Sequence, residues 1–70
     1  MSYFEDSRNT FIFMDVRAKK LGGIMNLTKS EQFEYVQLGY QTGFLSRKDA
    51  EELKEQLDLK IDLNKIEVRD

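Results

Sequence analysis

TKSEQFEYVQLGYQTGFLSRKDAEELKEQL, residues 28–57, decides the fold of this chain, because caps, periodicity and turn chemistry agree along it. Thr28 and Glu31 have the spacing of a capping box, in which each side chain satisfies a backbone N–H at the helix start. Phe33, Val36, Tyr40 and Phe44 then recur with helical spacing and mark a core stripe. Gly39 interrupts that stripe at a cost of about 1 kcal/mol relative to alanine, so it points to a close approach by a neighbouring element. Gly43 is suited to a left-handed helix stop, and Ser46 offers the next N-cap, with Asp49 near the positive end of the new helix. Ala50, Leu53 and Leu57 form its apolar stripe, and Glu51 is in range to pair with Lys54. The spacing predicts helices over about Lys29–Thr42 and Arg47–Leu57, joined at Gly43-Phe44-Leu45-Ser46.

Outward from the hairpin, the N-terminal side reads two ways. Phe11-Ile12-Phe13-Met14 is rich in strand formers, yet Phe11, Met14, Ala18 and Leu21 make one helical stripe. Arg17, Lys19 and Lys20 would occupy the last turn of that helix, and Gly22-Gly23 would stop it. A helix over about Thr10–Leu21 is the favoured reading. Residues 1–9 are expected to be partly disordered. On the C-terminal side the period changes. Leu57, Leu59, Ile61 and Leu63 alternate with Asp58, Lys60 and Asp62, and Ile66 and Val68 resume the alternation, as in a half-buried strand.

The expected architecture is mainly α: a small single domain with a central helical hairpin and an extended, strand-like tail over residues 58–70. The alternative is an α+β domain in which Phe11–Val16 is a strand paired with that tail. A lone strand cannot satisfy its own backbone groups, so beside an N-terminal helix the tail becomes a candidate for strand addition to a partner. The turn Tyr40 to Ala50 resembles the short helical hairpins of small bacterial and phage proteins, a likeness that carries no function.

Composition excludes more than it assigns. With no cysteine and no histidine among 70 residues, neither Ser-His-Asp nor Cys-His catalysis is available, nor an ordinary tetrahedral zinc site. No glycine-rich phosphate loop occurs, and Asp58, Asp62 and Glu67 do not follow a calcium-loop pattern. Neither an enzyme nor a cofactor is expected. Seventy residues make a thin core, and with disulfides and zinc closed as supplements, self-association stays open. No run approaches the roughly 18 apolar residues of a membrane span. The start, Met1 to Asp6, is acidic where a secretory signal is basic, so the expected location is cytoplasmic.

Two groups of residues are candidates for binding. Tyr35, off the core stripe and near Leu38, would anchor a partner protein, with Leu59, Ile61, Leu63, Ile66 and Val68 of the tail adding a strand. Arg17, Lys19 and Lys20, extended by Arg47 and Lys48, would form an anion-contacting patch. Arg47 and Lys48 stand where the helix dipole disfavours cations. A helix-turn-helix reader of DNA fits poorly, because the second helix carries Asp49, Glu51, Glu52 and Glu55. Eleven basic residues against thirteen acidic ones, a formal charge of −2, also disfavour nucleic acid. The expected function is a small protein-binding adaptor or inhibitor, with a DNA-contacting regulator as the alternative.

Overall fold

The computed structural model describes residues 3–68 and is mainly helical. Helix α1 spans Tyr3–Lys20, α2 Lys29–Gln41 and α3 Arg47–Gln56, with short 3-10 turns at Ile24–Asn26 and Leu63–Lys65; no strand occurs among the described residues. The ambiguous Phe11–Val16 segment is therefore helix. Its helix begins at Tyr3, well before the Thr10 at which the sequence reading starts it; of residues 1–9, expected to be partly disordered, the first two lie outside the described residues.

The buried face of α1 explains the length. Ser7, Phe11, Met14 and Ala18 are all buried and fall at i, i+4, i+7 and i+11, one stripe along the helix. Leu21, expected to complete that stripe, lies past the helix end and is exposed. The end itself is a Schellman motif. Gly22 takes φ +93°, its N–H donates to Lys19 O at 3.2 Å, and Gly23 N–H donates to Ala18 O at 2.8 Å.

Helix α2 starts on the capping box that the sequence marks. Glu31 N–H donates to Thr28 Oγ1 at 3.2 Å and Thr28 N–H donates to Glu31 Oε1 at 3.1 Å. Helix α3 starts on Ser46, whose Oγ accepts from Asp49 N–H at 3.1 Å. On α3 the i,i+4 pair is Arg47–Glu51 at 3.0 Å. Helices α1 and α2 run antiparallel: Arg17 reaches Glu31 at the start of α2, while Phe11 lies beside Tyr35 and stacks on Phe44 beyond its end.

The core is built from Val36, Ala50, Leu57, Leu59, Ile61 and Leu63, with Ile24, Tyr35, Tyr40, Leu45, Leu53 and Ile66 packed around it. The expected strand-like tail is corrected here. The alternation is real, since Leu59, Ile61 and Leu63 are buried and Asp58, Lys60 and Asp62 exposed, but no ladder forms among the described residues. Any locally extended backbone turns successive side chains to opposite sides, and these helices supply the cover that a sheet would otherwise give. The tail enters through a second Schellman motif. Asp58 takes φ +53°, its N–H donates to Glu55 O at 3.2 Å, and Leu59 N–H donates to Lys54 O at 2.9 Å. Lys29 Nζ also donates to Leu57 O, tying the start of α2 to the end of α3.

Gln32 is the polar element of this interior. Buried on α2, it donates from Nε2 to the carbonyls of Ile24, Met25 and Leu27 at 3.1–3.3 Å, pinning the α1–α2 connection to the helix that follows. Among the described residues no buried side-chain nitrogen or oxygen lacks a hydrogen-bond partner.

Candidate functional site

Helix α1 has two apolar faces, and only one is used by the fold. At about 100° per residue, Ile12, Phe13 and Val16 lie on the side turned away from Ser7, Phe11, Met14 and Ala18. They are 45, 71 and 47 % exposed. Asp6 and Asn9 precede them and Lys20 follows, all exposed on the same side of the helix. The outward surface of α1 is thus acidic at its start, apolar in the middle and basic at its end. Such a patch can bury an aromatic anchor against another surface, which is worth ~1.5–3 kcal/mol for a fully covered Phe.

Sequence reasoning missed this strip, although its signal was present. Once Phe11, Met14 and Ala18 are assigned to a buried helical stripe, the remaining apolar residues of the same segment, Ile12, Phe13 and Val16, have to face outward. The expected core stripe of Phe33, Val36, Tyr40 and Phe44 divides similarly: Val36 is fully buried and Tyr40 half-buried on α2, while Phe33 and, beyond the helix end, Phe44 are substantially exposed.

The partner-binding residues inferred from sequence lie elsewhere. Tyr35, expected to face solvent, is half-buried between α1 and α2, with its ring centroid 4.6 Å from that of Phe11. Its hydroxyl donates to Asp15 Oδ1 at 3.0 Å. Burial and then the Asp15 carboxylate push the Tyr35 phenol up to about 12. Leu38 is half-buried on the same helix. Leu59, Ile61 and Leu63 are core residues and Ile66 packs partly against them, so their side chains are engaged within the chain itself; Val68 is exposed.

The proposed basic patch is divided. Arg17 pairs with Glu31 at 2.9 Å and Lys19 with Asp15 at 3.2 Å. Arg47 pairs with Glu51 at 3.0 Å and also donates to Asn64 Oδ1 at 2.9 Å and the Tyr40 hydroxyl at 3.3 Å. Lys20 and Lys48 are exposed. Because Arg17 contacts α2 at Glu31 and Arg47 contacts it at Tyr40, the two groups are separated by about 13 Å along that helix. They do not form one cluster. Hydrogen bonds from Thr28, with the Arg17 charge nearby, hold the Glu31 carboxylate below its usual range.

An open cleft of about 430 Å³ lies between Met25, Leu27, Lys29, Gln56 and Asp58. Its interior polar groups are already engaged, Lys29 on the Leu57 carbonyl and Gln32 on the connection. Among the described residues, no group of three or more His, Cys, Asp or Glu is placed to hold a metal, and no helix is long and apolar enough to cross a membrane. Comparison with protein-family models, curated proteins and solved structures found no match.

Proposed function

We propose that this chain is a small protein-binding module, an adaptor or inhibitor without catalysis, that docks through the outward face of α1. The observation that carries this reading is the joint exposure of Ile12, Phe13 and Val16 within little more than one turn. Phe13, the most exposed of the three, is the anchor, since aromatic residues dominate binding energy where they can be covered completely. The charges of Asp6 and Lys20 stand at the rim, where they set orientation more than affinity. The lack of cysteine is compatible with a reducing, cytosolic setting.

A DNA-contacting regulator is the weaker reading, because Arg17, Lys19 and Arg47 each have an intramolecular carboxylate partner. The two are separated by placing a photo-reactive phenylalanine analogue at Phe13 and, as control, at exposed Lys60, in living host cells. Cross-links to protein from position 13 and none from position 60 support the docking face. Equal yields from both, or none from position 13, sink it.

A further inference from the structure

Asp6, Asn9, Phe13, Val16 and Lys20 fall at i, i+3, i+7, i+10 and i+14, the spacing of a single helix-pairing seam. The seam has a charge symmetry. Asp6 and Lys20 each stand seven residues from Phe13, about 10 Å along the axis at ~1.5 Å per residue. We infer that the occupant of this face is the same face of a second copy of the chain, packed antiparallel around a two-fold axis beside Phe13. The inference rests on reading the outward face of α1 as a docking surface.

Turning one copy end over end sets Asp6 of each against Lys20 of the other, and brings Phe13 and Val16 of both copies into the middle. A parallel pair would set Asp6 against Asp6 and Lys20 against Lys20. The helix dipole alone favours an acid in the first turn and a base in the last. It does not require both to share the side on which Ile12, Phe13 and Val16 are exposed. An isologous contact needs a self-complementary patch, and this face is one. A single helix-on-helix contact covers less than the ~800 Å² per partner of a standard interface. The dimer is therefore weak, with a dissociation constant on the order of 100 µM.

The test is sedimentation equilibrium from about 10 µM to about 1 mM, a range that brackets that constant. The wild-type chain is expected to pass from monomer to dimer, and Phe13→Lys to remain monomeric with an unchanged circular-dichroism spectrum. Asp6→Lys and Lys20→Asp each replace two attractions by two repulsions and weaken the dimer roughly tenfold at low salt. Mixing those two variants restores association, because each Lys then meets an Asp across the heterodimer. A wild type that stays monomeric over the whole range overturns the inference, as does a mixture no tighter than its components. If the wild type is monomeric while the analogue at Phe13 still captures a different protein, the second copy is excluded as occupant and the docking face stands; if the wild type is monomeric and the analogue captures nothing, both readings fall.

Discussion

Gly39 shows how one residue sets the spacing of this fold. A Cβ there would come within 2.6 Å of Phe11 Cε1 and of Leu45 Cδ1, and within 2.7 Å of Leu45 Cγ. Alanine would gain about 1 kcal/mol of helix propensity, but forcing a methyl into a packed contact costs ~1–3 kcal/mol. Because an aromatic ring and a branch carbon cannot both swing aside, overpacking outweighs propensity. Gly39→Ala is expected to lower Tm by several degrees in thermal denaturation, and a rise in Tm would show that the contact relaxes freely. Tyr35 makes a second residue-scale prediction. Its phenol holds its proton up to about 12 rather than 10.0, so the unfolded chain ionises first and stability falls as pH rises. The contribution of Tyr35 is intact below about pH 10 and is lost through pH 12. Absorbance titration should show a late-ionising phenol that is lost in Tyr35→Phe, and the same variant should make the alkaline loss of Tm shallower. Identical alkaline profiles would refute this.

At the scale of elements, the tail and α1 exchange the roles that their patterns suggest. Leu59, Ile61 and Leu63 have the look of a strand seeking a partner, yet they fill the core of their own chain. Ile61→Ala is therefore expected to cost ~2–5 kcal/mol by denaturant unfolding. A chain of this length has only about 4–10 kcal/mol in total. Lys60→Ala, one residue away and exposed, should stay within ~0.5 kcal/mol of wild type; similar values for the two would mean that the tail is not packed. Helix α1 does the reverse. Its length and its Schellman end are ordinary scaffold features, but it carries an apolar strip beyond what the core consumes.

The whole molecule measures 30 × 25 × 17 Å with a radius of gyration of 11.4 Å, against ~11 Å for a compact chain of this size. The tail is thus folded in rather than projecting. The net charge is −2, and Arg17, Lys19 and Arg47 are each paired with a carboxylate of the chain. Retention on DNA should be negligible at ~150 mM salt. Tight retention whose logarithm falls steeply with that of salt concentration would reinstate the alternative reading.

The sequence by itself determined where α2 and α3 start and where α1 and α2 stop, because capping and termination are local, whereas the start of α1 at Tyr3 carries no such local mark in the reading. The Thr28–Glu31 box, the Ser46 cap, Gly22 and Gly43 each act within a few residues of themselves, and each stands in the structure where its chemistry places it. It also determined that Leu59, Ile61 and Leu63 point inward, since alternation follows from the backbone, although Val68, read as part of the same pattern, is exposed. Only the tertiary structure decided what those side chains meet. Leu59, Ile61 and Leu63 found helices instead of a strand, Tyr35 found Phe11 and Asp15, and the cations found carboxylates on neighbouring turns and elements. Each of those outcomes depends on how the helices cross, which no local pattern encodes. The same crossing leaves Ile12, Phe13 and Val16 outside: α1 can turn only one of its two apolar faces toward α2, and the aromatic contacts across Gly39 hold Phe11 on the inner one.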